Sequence, residues 1–323
     1  MSADPSAAPT ATLGAAPSSS PAHVRAELSR PDLEEHAEAL GFRGPDLPDL
    51  VAAARGVLER PADLAVVEQA ARRLLDRIGD LPARDGDDVW EGVEVGEDGV
   101  LAVLALLATA PALAAFHASR GVPADVSAAT VADLGQQVWV HRLVSGRFGL
   151  YSYAWETGWV WSGALYRLGR LQFSVEEGTT VDGSGRELVC STHIPRGAAL
   201  RDADVDAALA AAQPFFARHF PELGPLDLHC VSWMLDPRLP RLLPGSNLAR
   251  FQRRWRTYGE RREADEDAFF FAFARRGRPE VDRLVAETSL QRAILSVWRS
   301  GEHWHLVEGR LAAPAGTRND GEV

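Results

Sequence analysis

The chain contains no lysine, and all 34 of its basic residues are arginine. This excludes three kinds of chemistry: a Schiff base on lysine, attachment of pyridoxal phosphate, and a P-loop lysine that reaches nucleotide phosphates. Codon bias in a GC-rich genome is the simplest explanation, because Ala, Arg, Leu and Pro are abundant as well. The exclusion of lysine chemistry holds whatever the cause.

Cysteine is scarce too, with Cys190 and Cys230 the two in the chain. Both fall in predicted strands and neither belongs to a CxxC pair, which argues against a disulfide framework and a structural zinc site. The amino terminus lacks the basic start and the apolar run of a secretory signal. We therefore expect a protein of the reducing cytoplasm.

Positive charge is in the minority, since the net charge is −11. A general DNA or RNA binder needs a basic face to neutralise phosphates, so we expect no nucleic-acid partner. The most apolar run, Val100 to Ala115, is shorter than the ~20 residues of a membrane-spanning helix and contains Pro111. It predicts a buried helix of a helical domain and no membrane partner.

The chain of 323 residues, 46% hydrophobic and 24% charged, has the size and composition of a soluble protein with two cores. Apolar residues recur with helical spacing through the first half, as in the stripe of Leu64, Val67, Ala71 and Leu74. Strand-forming runs dominate the second half. The predicted plan is a disordered tail (1–21), a helical domain (22–150), a sheet domain (151–313) and a second disordered tail (314–323).

Strands and helices alternate in the second half, which predicts an α+β or α/β domain after the helical one. One predicted strand begins at Leu165, one runs from Glu187 to Ile194, and one ends at Met234. Two more span Phe269–Phe273 and His303–Leu311. The predicted helices include a continuous one at about 126–143, one from Asp202 to near His219, one from Ser246 through Arg254, and one over 289–298.

An unusually aromatic segment, Tyr151 to Trp161, joins the two halves. Aromatic side chains dominate cores and interfaces, so a packed junction between domains is one interpretation. A wall for an acyl chain or an aromatic substrate is the other, with Glu156 as a polar contact or base. The sequence leaves both open.

Five short segments of the second half stand out together: His193–Gly197, Cys230–Pro237, Ser246–Arg254, Ser289–Ala293 and Gly301–His305. In this order they resemble a bacterial family of acyltransferases, whose members join a helical N-terminal acyltransferase domain to a GNAT-like C-terminal domain. The resemblance implies an α+β fold in which a GNAT-like mixed β-sheet with flanking helices follows the helical domain.

The resemblance also implies a place for acyl-CoA, in the opening where two neighbouring parallel strands separate. These are the strands that end at His193 and Met234. The loop after the first strand and the start of the next helix then face the pantetheine and pyrophosphate, and helix N-termini suit phosphate. The implied contacts in this loop are Ile194, Arg196, Gly197 and Ala198.

Two features depart from the usual GNAT pattern. Arg196–Ala199 only approximates the Arg/Gln-x-x-Gly-x-Gly/Ala phosphate loop, and Arg254 and Trp255 stand where many GNAT enzymes carry a tyrosine. A GNAT-derived binding or sensor protein without turnover is therefore the alternative to an enzyme.

Acyl transfer from a thioester to an amine needs a base, an oxyanion donor and, for the thiolate, an acid. His193 is the first candidate base, because imidazole titrates near neutral pH, and a structural histidine that holds the Pro195 loop is the other interpretation. Asp236 can orient the amine, act as base, or form a turn before proline. Ser232 can donate to an oxyanion or thiolate, or bond to the backbone.

A basic cluster follows these residues in the chain and has two interpretations. It is either a solvated helix face or a patch for the phosphates of CoA, which guanidinium groups bind well. Its members are Arg250, Arg253, Arg254, Arg256, Arg261 and Arg262. Asn247 just before it is most simply a helix cap, and Asn247, Arg250 and Arg254 complete the predicted cofactor-binding set.

Two further arrangements are conceivable. His303 and His305 share one strand face, as two metal ligands would, but no third ligand is identified, so we predict no metal site. A Ser232–His193–Asp236 hydrolase triad is the other, but Ser232 lies in no Gly-x-Ser-x-Gly elbow.

The sequence and the resemblance together predict an N-acyltransferase. It takes an acyl group from acyl-CoA, the co-substrate, to a small-molecule acceptor, an amine. Transfer is by direct attack in a ternary complex, with no permanently bound cofactor.

Overall fold

The computed structural model describes residues 21–96, 98–277 and 280–311. The predicted tails lie outside the described residues, except for Pro21, which opens a helix. The chain divides into two compact units. One comprises the chain to Arg167 together with Ser174–Glu176, and the other comprises Leu168–Phe173 and the chain from Glu177 onward.

The first unit is helical. Its described residues form α1 (Pro21–Leu28), α2 (Leu33–Ala39), α3 (Asp46–Glu59), α4 (Pro61–Arg77), α5 (Asp87–Trp90), α6 (Val100–Ser119), α7 (Ala124–Val131), α8 (Asp133–Ser145) and the single turn α9 (Tyr153–Trp155), followed by a π-helical turn, Glu156–Trp161. The predicted stripe of α4 is buried as expected.

The helix predicted over 126–143 is wrong in one respect, because it is broken at Ala132. The N–H of Gly135, in the first turn of α8, donates to the carbonyl of Leu40 at 2.9 Å. A Cβ at Gly135 would lie 2.0 Å from the backbone of Gly41. The break therefore lets two backbones approach at a contact that tolerates only glycine.

Helix α6 is longer than the apolar run from which it was predicted, and extends to Ser119. With 20 residues and a mean hydropathy of 2.1, it has the length and composition of a membrane-spanning helix. Of its most apolar window, however, 72% is buried inside the protein. That burial is typical of the central helix of a helical domain.

The second unit contains most of the sheet and the remaining helices. The strands are β1 (Leu165–Leu168), β2 (Leu171–Thr179), β3 (Arg186–His193), β4 (Asp227–Ser232), β5 (Trp255–Glu263) and β6 (His305–Leu311). The helices are α10 (Asp202–His219), α11 (Leu239–Leu242), α12 (Asn247–Arg253), α13 (Asp265–Phe273) and α14 (Ser289–Arg299).

Over the described residues the sheet has six strands in the order β1-β2-β3-β4-β6-β5. Strands β3 and β4 are parallel and joined through α10, whereas β4–β6 and β5–β6 are antiparallel. The sheet is therefore mixed, and the predicted fold, a helical domain followed by a GNAT-like α+β domain, is confirmed.

Local sequence explains why α10 and α14 form. Helix α10 buries Val205, Ala208, Leu209, Ala212, Phe215 and Phe216, at the helical spacing read from the sequence. Helix α14 starts with a capping box in which Thr288 and Gln291 satisfy each other's backbone N–H groups. Its buried face joins Trp233, Phe269 and Trp304 in one apolar cluster.

Two strand predictions in this unit are wrong, and one strand was not predicted. Phe269–Phe273 belongs to helix α13, whose first turn carries the acids Asp265, Glu266 and Asp267, as helix N-termini favour. The residues after Arg254 form strand β5, which the basic composition concealed. Strand β4 ends at Ser232 rather than Met234, because a short 3₁₀ turn follows it.

Candidate active site

The parallel strands β3 and β4 share only a short stretch of pairing. Their register partners are Val189 with Asp227, Cys190 with Leu228, and Ser191 with His229. Both strands continue past the last pair, to His193 and Ser232. The ends of both strands thus lie beyond their shared register, at the carboxyl edge of the sheet, where the resemblance implies the opening for acyl-CoA.

The loop from Ile194 to Arg201 joins β3 to α10 at this opening. Gly197 has φ of +155°, a conformation that side-chain-bearing residues rarely adopt, and its neighbours Ala198 and Ala199 are exposed. The Arg196 guanidinium donates to the carbonyl of Phe271 at 2.9 Å, among the last carbonyls of α13. The side chain of Arg196 therefore anchors the loop to a helix end.

The predicted phosphate-binding arginines of α12 are engaged in ion pairs. Arg254 donates to Asp202 at 3.0 Å and to Asp206 at 2.8 Å, and Arg250 also pairs with Asp202. These hydrogen bonds, from Arg254 first, lower the pKa of Asp202. Because Asp202 begins α10, this helix end already holds a carboxylate and favours a phosphate less than the sequence suggested.

The rest of the basic cluster is divided between elements. Arg253 ends α12, whereas Arg256, Arg261 and Arg262 lie on the exposed strand β5. The helix cap is Ser246, whose Oγ accepts from the N–H of Ala249 at 3.1 Å. Asn247 is the first residue of α12, and its Oδ1 accepts from the N–H of Leu248 at 3.0 Å. The six arginines therefore form no single helix face.

Ser232 ends β4 and caps the turn that follows. Its Oγ accepts from the N–H of Met234 at 3.1 Å, which fixes the hydroxyl beside the opening. Accepting this bond leaves the hydroxyl proton available for donation to another group. Its geometry is compatible with the predicted donor role.

Asp236 is a buried carboxylate with both oxygens engaged. Arg238 donates to Oδ1 from its backbone N–H and from Nε, each at 3.0 Å, and to Oδ2 from Nη2 at 2.6 Å. The N–H of His305 also donates to Oδ2, at 3.2 Å. Burial would raise the pKa of Asp236, but these bonds outweigh burial and lower the pKa below its ordinary value. A carboxylate held in this way is poorly suited to accept a substrate proton.

His193 is half-buried at the end of β3. By strand alternation it shares a sheet face with Ser191 and its register partner His229, whereas Ser232 lies on the other face. Among the described residues, Ser232 and Asp236 hydrogen-bond to Met234, Arg238 and His305, and not to His193. The structure therefore contradicts the hydrolase triad.

His303 and His305, near the start of β6, contact different carboxylates. His303 Nδ1 lies 2.6 Å from Asp265, and His305 Nδ1 lies 3.5 Å from Asp236. They do not form the pair of metal ligands considered above. Glu263, Asp265 and His303 place ligand atoms within 4.8 Å of one another, but the Asp265 oxygens already accept from His303 and from the N–H of Trp304.

The aromatic segment of the helical unit is internally packed. The rings of Trp155 and Trp159 stack with centroids 4.4 Å apart, and the indole N–H of the fully buried Trp161 donates to Thr109 at 2.9 Å. Glu156 is fully buried at the start of the π-helical turn. Burial raises its pKa well above the ordinary value, and the neighbouring carboxyl of Asp133 acts in the same direction. Both effects favour the neutral form of Glu156.

Two arginines at the site, Arg238 and Arg170, were not predicted from the sequence. Arg238 ties the end of β4 to the start of β6, donating to Glu302 at 3.2 Å and to the carbonyl of His303. Arg170, in the turn between β1 and β2, donates to loop carbonyls after β3. Local sequence does not reveal these contacts, because the Arg170 partners, and Glu302 and His303 for Arg238, are remote in sequence.

Comparison with known proteins agrees with this geometry. Residues 165–311 match the GNAT-like C-terminal domain family, and residues 31–163 match the N-acyltransferase N-terminal domain family. No curated protein matches the chain. A solved acyltransferase mutant in complex with octanoyl-CoA is 33% identical, with 87% of each chain covered and a TM-score of 0.74.

The chain belongs to this acyltransferase family. A second similar structure, an acyltransferase in complex with decanoyl-CoA and teicoplanin, is 31% identical, with 92% of this chain and all of that chain covered and a TM-score of 0.74. A third, in complex with CoA and 10C-teicoplanin, has the same identity and coverage and a TM-score of 0.69. The present acyltransferase is thus an acyl-CoA-dependent enzyme.

Proposed function

We propose that this acyltransferase moves an acyl group from acyl-CoA to the amine of a small-molecule acceptor, by direct attack in a ternary complex. The observation that carries the proposal is the end of the pairing between β3 and β4, which stops at Ser191 and His229 while the strands continue to His193 and Ser232. A thioester bound between these strand ends has an imidazole at the end of one strand and a hydroxyl donor at the end of the other.

In this mechanism the His193 imidazole takes the proton of the attacking amine, and the amine nitrogen bonds to the thioester carbonyl carbon. The Ser232 hydroxyl donates to the charge that develops on the carbonyl oxygen or the sulfur. The carbon–sulfur bond then breaks, the departing thiolate takes the proton that His193 accepted and leaves as the CoA thiol, and the acceptor carries the acyl group as an amide. Asp236 positions the wall through Arg238 and does not take a proton.

The substrates proposed follow from the similar structures. Octanoyl- and decanoyl-CoA, bound there, make medium-chain acyl-CoA the first donors to test. Teicoplanin, present in two of those complexes, is the first acceptor to test. We place the reaction in the cytoplasm, which suits the buried thiols Cys190 and Cys230.

The test is transfer from octanoyl- and decanoyl-CoA to teicoplanin by the wild type and by His193→Ala, with acyl-CoA binding measured by calorimetry. We expect kcat to fall by about 10²–10⁴-fold, the usual contribution of a positioned base, with little change in binding. His23→Ala, which replaces a partly exposed histidine of the helical unit, is the control. Unchanged turnover of His193→Ala would remove His193 as the base, and absence of acyl-CoA binding by the wild type would overturn the proposal.

A further inference from the structure

The loop after β3 is held on its carbonyl side by an arginine from a distant turn. Arg170, between β1 and β2, donates from Nη1 to the carbonyl of Pro195 at 3.0 Å and from Nε to the carbonyl of Ala198 at 2.9 Å. These carbonyls bracket Arg196 and Gly197. One planar guanidinium thus fixes both ends of the tip of the loop.

The opposite, amide side of this loop is open. Within the described residues, the backbone N–H groups of Gly197, Ala198 and Ala199 donate to no protein acceptor, and all three residues are exposed. Consecutive backbone N–H groups in a turn form a concave site for anions. A Cβ built at Gly197 meets no atom within 4 Å, so the space beside Gly197 is open.

Other cations nearby are less available to an anion. Arg250 and Arg254 pair with Asp202, and Arg196 donates to the end of α13. The amide groups of the loop are therefore the donors best placed for the pyrophosphate of CoA. The carbonyl of Ala198, which Arg170 holds, shares a planar peptide unit with the N–H of Ala199, so Arg170 fixes the direction of that N–H.

We propose that Arg170 is a positioning residue of the acyl-CoA site, which turns the N–H groups of residues 197–199 toward the CoA pyrophosphate. The inference rests on the proposed function, because it assumes that acyl-CoA occupies the opening between β3 and β4. Arg170 contacts the loop and not the reacting atoms. It therefore governs donor binding and not the chemical step.

The test compares two thioesters, octanoyl-CoA and octanoyl-pantetheine, which lacks the pyrophosphate and nucleotide. For Arg170→Met we expect KM for octanoyl-CoA to rise about tenfold to a hundredfold, the scale of a misplaced binding group, with kcat near that of the wild type. Octanoyl-pantetheine should react equally well with both proteins. Arg186→Met, which removes another arginine that donates to a backbone carbonyl, should change neither value.

Arg170→Lys keeps the charge but cannot donate to both carbonyls from one plane, so it should show a smaller rise in KM for octanoyl-CoA alone. A measurement on the wild type needs no variant: hydrogen exchange at residues 197–199 should slow with CoA and not with pantetheine. Equal losses for the two thioesters, an unchanged KM for octanoyl-CoA, or exchange unaffected by CoA would each overturn the role of Arg170. Failure of the wild type to bind octanoyl-CoA would instead overturn the proposed function.

Discussion

The two units each bury a carboxyl group, and they treat it in opposite ways. Glu156, in the helical unit, lies beside another carboxyl, and burial raises its pKa. Asp236, in the sheet unit, is buried to the same degree, but Arg238 and the N–H of His305 keep its pKa low. Burial penalises a charge in both places, so the partners decide the protonation state.

The difference separates two uses of a buried acid. A neutral Glu156 costs little to bury and fits a packed aromatic segment. An ionised Asp236 is stable in a buried position only if its bonds are complete, and those bonds join the segment after β4 to the first residue of β6. The sheet unit thus uses a charge to fix the wall of its proposed substrate opening.

The largest effect on the free energy of unfolding should come from removal of the charge on Asp236. Asp236→Asn keeps the shape but leaves the Arg238 guanidinium, 17% exposed, without the buried one of its two carboxylate partners. We expect the free energy of unfolding to fall by roughly 3–5 kcal/mol, as for other broken buried pairs. Urea unfolding followed by tryptophan fluorescence measures it. Asp206→Asn, which breaks an exposed pair with Arg254, should change stability far less, and equal effects would contradict the comparison.

A smaller loss should follow a change of the cation. Arg238→Lys keeps the charge but cannot donate the two parallel hydrogen bonds, so we expect a loss of about 1.5–3 kcal/mol, the usual value of one hydrogen bond to a charged group. Because the pKa of Asp236 is depressed, its contribution is present above the unfolded pKa and is lost as pH falls through the folded pKa. The variant should therefore differ from the wild type most at neutral pH and least in acid, as measured by unfolding at several pH values.

The smallest effect on the free energy of unfolding should come from a change at Glu156. Glu156→Gln keeps the shape of the neutral carboxyl that burial favours, so we expect a change within about 1 kcal/mol in mild acid. The raised pKa gives the wild type stability that is full below the unfolded pKa and is lost as pH rises through the folded pKa. The variant should lack this loss and become the more stable protein at high pH. Parallel pH curves for the two proteins would show that Glu156 is ionised.

Much of the fold could be read from local pattern. The buried face of α10 was predictable because its apolar residues recur every three to four positions. The strand at Glu187–Ile194 was predictable because apolar and β-branched residues precede a proline. Short apolar runs are ambiguous, and Phe269–Phe273 became a helix because acids before it favour a helix start and Trp298 packs on Phe269.

The site was less predictable than the fold. His193 and Ser232 could be singled out because they stand near the ends of adjacent predicted strands. Arg238 and Arg170 could not, since their partners His303 and Ala198 lie 65 and 28 residues away. The ion pairs that bind Arg250 and Arg254 were hidden for the same reason, because a cluster of like charges in sequence says nothing of the carboxylates folded against it.

Because β3 and β4 pair over only a short stretch, bound acyl-CoA would itself complete part of the sheet. A thioester seated in that opening would lay the two amides of its pantetheine arm along strand edges that no longer share register, as an added strand does in β-augmentation. The donor would then be a temporary seventh member of a six-stranded sheet. Each catalytic cycle would build that strand and remove it again.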